Sequence, residues 1–166
     1  MPIHSKRNDW GGNSISKLLF DYLLDTLPKG KTILELGSGW GTMQLMEHWN
    51  VWSIESEPEW HEKYNKTRSI LVPITEKGGW YNYDIMKDTM YKLRHEYDLL
   101  LVDGPYDNRE RIVDNFHLFN HDTPIVFDDV RREKGKSTME VISLRLKRPY
   151  VIHGEGRSMF GVIGGA

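Results

Sequence analysis

Three short stretches of this 166-residue chain bring chemically capable side chains next to turn-forming residues. In ILELGSGWGT, Glu35, Gly37, Ser38, Gly39, Trp40 and Gly41 lie between an apolar run and a helix expected to begin near Thr42. Glycines there permit positive φ and close approach of backbone to a ligand, and free amides at a helix start receive polar or anionic groups. Glu55 follows 18 residues after Gly37, at the end of VWSIE and beside Ser56. A carboxylate in that place accepts both hydroxyls of a ribose. The third stretch is split between VDGPYDNRER and FDDVRR, which supply Asp103, Asp128 and Asp129. Three carboxylates are hard oxygen ligands that suit Mg²⁺ and not zinc, and an ion held there would lower the pKa of an acceptor hydroxyl.

Each stretch also has a plain structural alternative. For Glu55, beside Ser56, Glu57 and Pro58, the alternative to ligand binding, which the glycine turn favours, is a solvated carboxylate at a helix start. Asp128 or Asp129 reads as the cap of the next turn. The glycine spacing itself narrows the ligand. The dinucleotide fingerprint is GxGxxG, and here the third glycine comes one residue early, with Thr42 in its place.

The elements that must carry these residues follow from apolar patterning. TILEL, VWSIE, SILVPI, DLLLV and PIVF are short apolar runs suited to strands covered on both faces. Helical spacing separates most of them: Ile15, Leu18, Leu19, Tyr22 and Leu23 form one stripe, with Asn13 or Ser14 as its expected N-cap. Met86, Met90 and Leu93 form another, and Ile112, Phe116 and Phe119 a third. A further helix is expected over Thr138 to Leu146, and YVIH and MFGVI flank GEGRS as a hairpin. Alternating strands and helices joined by right-handed crossovers predict an α/β fold, a doubly wound three-layer sandwich. Its sheet has seven strands, mostly parallel, with an antiparallel C-terminal hairpin.

The pattern ExGxGxG from Glu35 to Gly41 resembles motif I of the class I S-adenosylmethionine-dependent methyltransferases. The resemblance implies S-adenosylmethionine as cofactor, its amino acid part beside Gly37, Ser38 and Gly39 in the loop that Trp40 and Gly41 complete. It implies that Glu35 orients the loop or the methionine ammonium, and that Glu55 and Ser56 meet the ribose. Adenine would lie by WYNYD, stacked on rings such as Tyr83 and bonded to Asp84; Trp80, Tyr81 and Tyr83 read equally as a surface-covering aromatic cluster. Asp103 would stand beside the transferred methyl group. VDGP, an Arg-containing segment and a double Asp resemble the small bacterial O-methyltransferases of the macrocin and catechol type, which implies Mg²⁺ at Asp103, Asp128 and Asp129. DGPY is similar to the DPPY of nucleic-acid amino-methyltransferases, but Gly104 breaks that pattern.

Other classes are disfavoured. With 39% hydrophobic and 28% charged residues the chain matches one ordinary domain, residues 1–166, whose first twelve residues read as a lid or arm. A net charge of -2 gives no bulk attraction to nucleic acid or an anionic membrane, and no apolar run approaches a bilayer span of about 20 residues. The absence of cysteine excludes thiolate metal sites and cysteine nucleophiles, and the seven histidines show no zinc spacing. Only His153, at a strand end, reads as a candidate base. The expectation is a cytoplasmic enzyme that methylates oxygen, or less readily nitrogen, on a small-molecule acceptor. The alternatives are another S-adenosylmethionine reaction, such as a lyase or aminopropyl transfer, and a catalytically silent cofactor-binding subunit.

Overall fold

The apolar run TILEL becomes β1 (Thr32–Leu36), an inner strand of a seven-stranded sheet in the computed structural model, which describes residues 15–75 and 79–166. The other strands are β2 (Asn50–Glu55), β3 (Ser69–Leu71), β4 (Leu99–Val102), β5 (Ile125–Asp128), β6 (Tyr150–His153) and β7 (Phe160–Ile163). They lie in the order β3-β2-β1-β4-β5-β7-β6. The first five are parallel, and β7 is antiparallel to both β5 and β6. The expected doubly wound α/β sheet with its antiparallel hairpin is therefore present.

Period-two alternation divides the strand residues between two apolar layers. Leu34, Leu36, Leu100, Val102, Ile125 and Phe127 join one cluster, which α3 (Tyr83–Leu93) completes with Met86, Met90 and Leu93 and α5 (Glu133–Leu146) with Met139 and Ile142. Ile33, Val51, Leu99, Leu101 and Val126 join the other, under Leu19 and Leu23 of α1 (Lys17–Thr26) and Leu45 of α2 (Trp40–Met46). Both faces are covered, as the unbroken apolar character of LLLV in β4 requires.

Local chemistry moves several boundaries. Helix α1 is capped by Ser16, whose hydroxyl accepts from the Leu19 amide at 3.1 Å; the caps expected from the sequence, Asn13 and Ser14, lie outside the described residues, as does the expected lid, residues 1–12. Strand β3 stops at Leu71, short of the run SILVPI. Pro73 has no amide to continue the ladder, and Ile74 instead bridges to Tyr81. Ile112, Phe116 and Phe119 are buried as expected, but on a broken path: α4 (Ile112–Asn115) is one turn between two 3₁₀ turns, Arg109–Arg111 and Phe116–Leu118. Helix α5 begins at Glu133, five residues before the expected Thr138. No helix among the described residues is long and apolar enough to cross a membrane.

The hairpin depends on close packing at Gly161, which pairs with Phe127 of β5 and Ile152 of β6. A Cβ at Gly161 would run into the thioether of buried Met139. Gly161→Ala is expected to destabilise the domain by about 1–3 kcal/mol. A lowered urea midpoint with unchanged m would show it.

Candidate active site

Because β1, β2, β4 and β5 run parallel, their carboxyl ends share one edge of the sheet. The strand order reverses between β1 and β4, so their following loops form the crevice where open α/β sheets bind ligands. The glycine turn after β1 lies there. Gly37 has φ +91° and donates its amide to the Ile54 carbonyl at 2.7 Å. A Cβ on it would stand 3.2 Å from the Gly104 nitrogen, so glycine is required both for the turn and for contact with the loop after β4. Gly39 caps α2 in extended conformation and donates its amide to Thr42 Oγ1 at 3.0 Å. Trp40 opens α2 with its ring two-fifths exposed, and Gly41 is buried in the first turn.

Glu35 lies beneath this turn, 2% exposed. Thr42 Oγ1 and Ser53 Oγ each donate to its carboxyl at 2.9 Å, and Asn65 Nδ2 donates to Ser53 Oγ at 3.1 Å. Burial pushes the Glu35 pKa up to about 8, against the lowering effect of the Ser53 and Thr42 hydroxyls. Glu35 thus reaches the loop through Thr42, which in turn holds the Gly39 amide.

Glu55, at the end of β2, is also buried. Its Oε2 accepts from the amide and the hydroxyl of Ser38, both at 3.0 Å. Its Oε1 accepts from the amides of Ser56 at 2.8 Å and Glu57 at 3.0 Å. A carboxylate offers about four lone-pair sites, and protein donors take all of them. One ligand hydroxyl could bond here by displacing the Ser38 hydroxyl.

At the ends of β4 and β5, Arg109 ties two aspartates together. Its Nη2 lies 3.9 Å from Asp103 Oδ1, and its Nη1 donates to the Asp128 carbonyl at 3.1 Å. Burial and then the neighbouring Asp103 carboxylate, within hydrogen-bonding reach, hold the Asp128 carboxyl well above the usual range. Asp129, with φ +50°, has Oδ1 2.9 Å from Arg131 Nε. The expected metal trio of Asp103, Asp128 and Asp129 is therefore not assembled. Two of its members share Arg109 and the third pairs with Arg131. Among the described residues no group of three or more histidines or carboxylates is placed to hold a metal ion, so these side chains as they stand do not fit Mg²⁺. A cavity of about 200 Å³ opens beside them, lined by Asp128, Phe127, Arg109, Tyr106, Arg132 and Lys134 among others.

The remaining sequence candidates scatter. The aromatic run splits: Trp80 and Tyr81 are buried core, whereas Tyr83 is exposed on α3 with its hydroxyl 3.2 Å from His117 Nε2. A surface cluster is thus ruled out for the first two. Asp84 is exposed in the first turn of α3, behind the Asn82 cap. His153 is not brought to the crevice. It stacks on Phe160 at 5.0 Å, and the register Asp128↔Phe160↔His153 puts that ring between the histidine and the aspartates. Thr42, Ser53 and Arg109 carry contacts that residue spacing does not assign to them. Thr42 had a signal, since it occupies the place of the third dinucleotide glycine, but Ser53 and Arg109 come from separate elements that only folding brings in.

No protein family model matches this sequence, and comparison with curated proteins finds no match. Solved structures do resemble it. The MycE methyltransferase from the mycinamycin biosynthetic pathway, in complex with Mg and SAH, superimposes with a TM-score of 0.56 at 11% identity. The match covers 90% of this chain and 45% of that one, so the present chain spans less than half of MycE. Precorrin-6y C5,15-methyltransferase from Geobacter metallireducens GS-15 gives 0.58 at 12% identity, covering 95% of this chain and 93% of that one. The fold is that of the class I methyltransferases. Precorrin 8w decarboxylase from Methanobacterium thermoautotrophicum shares this methyltransferase fold too, with a TM-score of 0.59 at 15% identity over 92% of this chain and 91% of that one. Proteins named for different reactions thus share the architecture, so the fold alone does not fix the reaction.

The raised Glu35 pKa predicts a pH dependence of stability. The folded state keeps this proton up to about pH 8, whereas an unfolded glutamate releases it near pH 4.3. Between these values the folded state binds more protons, so stability falls as pH rises and levels off above about 8. Denaturant titrations from pH 5 to 8 should show the decline, and Glu35→Gln should flatten it.

Proposed function

We propose that the chain binds S-adenosylmethionine across the ends of β1, β2 and β4 and transfers its methyl group to oxygen, or less readily nitrogen, of a small molecule held in the cavity beside β5. The supporting observation is the glycine turn at the strand-order reversal, backed by Glu35 and tied to Glu55 through Ser38. Where Gly37 and Gly104 meet, a Cβ on either would crowd the other's backbone, and this bare seam fits a ligand that lies along the main chain. The charge also fits. Glu55 and Asp103 would repel a dinucleotide pyrophosphate and favour a cofactor carrying sulfonium and ammonium groups.

Bound S-adenosylmethionine supplies an electrophilic methyl group that an acceptor lone pair can displace from sulfur. The chain's own residues bind, orient and take up a proton. Glu55 would accept from a ribose hydroxyl in place of the Ser38 hydroxyl, and the loop from Gly37 to Gly39 would hold the amino acid part. Asp103, held by Arg109, accepts the proton that the acceptor loses, and Asp128 supports it from the cavity wall. The aliphatic and aromatic wall formed by Val102, Phe127 and Val130 excludes water from one side of the acceptor.

Calorimetric titration tests the cofactor. S-adenosylmethionine and S-adenosylhomocysteine are expected to bind, NAD is not, and Mg²⁺ should change neither result; a response to NAD alone would overturn the reading. Asp103→Ala should retain most of the affinity for S-adenosylhomocysteine. Its turnover on any acceptor found by screening should fall by roughly 10²- to 10⁴-fold. Equal loss of binding and turnover would remove Asp103 from the proton-accepting role.

A further inference from the structure

The cavity beside β5 has two chemically different ends. One is the acidic strand end, where Asp128 forms part of the wall and is 9% exposed. Its nearest polar neighbour, Asp103, is itself a carboxyl, and no N–H among the described residues donates to the Asp128 side chain. A buried carboxyl in that state calls for a donor from a ligand. The other end is the first turn of α5, which brings Arg132, Lys134 and Gly135 to the same wall. Glu133, the acidic residue of that turn, is not part of the wall, and neither is Lys136.

The α5 end lacks acceptors as the strand end lacks donors. Arg132 stands at the N-cap position, where a serine, threonine or aspartate would accept from the amides of the first turn. A guanidinium only donates, so no side chain caps this helix, and the amides of Glu133, Lys134 and Gly135 come before the first intrahelical bond, from Lys136 to the Arg132 carbonyl at 3.1 Å. The Arg132 guanidinium has no ion pair or hydrogen bond among the described residues. Lys134 reaches Glu110 at 3.4 Å with its own side chain 80% exposed, a contact that an incoming anion exchanges at little cost. Of the other acids on the wall, Asp129 is paired with Arg131 and Asp107 is exposed to solvent. A Cβ on Gly135 would stand 3.1 Å from the Asp129 carbonyl, so this glycine lets the turn close on the end of β5, next to Asp128. Two cations and the bare amides of a helix start make a seat for a compact anion.

We propose that the methyl acceptor is an anion: its phosphate or carboxylate group is held at the start of α5 by Arg132, Lys134 and the first-turn amides, while its hydroxyl or amine lies at the strand end against Asp128 and Asp103. This rests on the methyl-transfer reading above and adds the class of substrate. The opposed ends then have separate tasks. The acidic end meets the group that loses a proton, and the basic end fixes the molecule by a group that does not react, so that binding away from the reacting atoms orients the acceptor.

Calorimetric titration of the full chain with inorganic phosphate and with acetate, at an ionic strength fixed with sodium chloride, tests the seat, and S-adenosylhomocysteine is titrated into the same samples. Wild type is expected to bind at least one of the two anions, phosphate more tightly if the acceptor carries a phosphate and acetate more tightly if it carries a carboxylate. Arg132→Gln and Lys134→Gln should each weaken that binding about 5-fold, the worth of one good exposed ion pair. Saturating S-adenosylhomocysteine should leave the anion in place. Lys136→Gln makes the same change of charge on the same helix, outside the cavity wall, and should leave the affinity unchanged. An equal loss in Lys136→Gln, displacement of the anion by S-adenosylhomocysteine, or binding of neither anion by a wild type that binds S-adenosylhomocysteine overturns the anionic acceptor alone. Failure of wild type to bind S-adenosylhomocysteine overturns the methyl-transfer reading, and the assignment of the seat to an acceptor with it.

Discussion

The carboxyl group buried at the end of β1 joins three pieces of backbone that have no covalent reason to stay together. Glu35 receives Thr42 from the first turn of α2 and Ser53 from the middle of β2, while Thr42 receives the amide of Gly39. Without this set, the turn from Gly37 to Gly39 would keep the bonds of Gly37 to Ile54 and of Ser38 to Glu55 but lose its anchor to β1 and α2, at a place where two of its three residues are glycine, the least restrained backbone there is. A charged carboxylate would serve poorly in so dry a place. Raising the pKa to about 8 lets the group remain largely neutral and hydrogen-bonded near neutral pH, which is why burial is tolerated.

The rest of the crevice is built outward from that turn. Its shape brings Ser38 to Glu55 and sets Gly37 against Gly104, so the loops after β1, β2 and β4 form one surface. Acidic groups dominate it. Glu55, Asp103 and Asp128 converge, and the nearby cation that opposes them, Arg109, is engaged with the two aspartates. Such a field favours a positively charged ligand, and burial together with the neighbouring Asp103 carboxylate raises the Asp128 pKa. The carboxylates that look like metal ligands in the sequence are in this way partitioned between arginines and each other.

Much of the architecture was legible because it follows from local patterning. The runs TILEL, VWSIE, DLLLV and PIVF are too short for helices and too apolar for edge strands, so they had to be buried parallel strands. The helical stripes of Met86, Met90 and Leu93 and of Leu19 and Leu23 were equally plain. Boundaries were less so. Pro73 shortened β3, a serine hydroxyl at position 16 set the start of α1, and the segment from Arg109 to Leu118 broke into turns although its buried residues keep helical spacing. Such choices depend on single hydrogen bonds that patterning does not record.

The sequence by itself determined the strand–glycine–helix junction at Glu35 to Thr42, the acidic end of β2, and the placing of Asp103, Asp128 and Asp129 at strand ends. Each is a matter of neighbours along the chain, and glycine or carboxylate chemistry acts over that range. Only the tertiary structure decided which of these groups meet. Arg109 could draw Asp103 and Asp128 together, Arg131 could pair with Asp129, and Phe160 could screen His153, because each outcome depends on how the elements pack. Hydrogen bonds and ion pairs fall off within a few ångströms, so chemistry at the strand ends is set by packing to a precision that residue spacing alone does not carry.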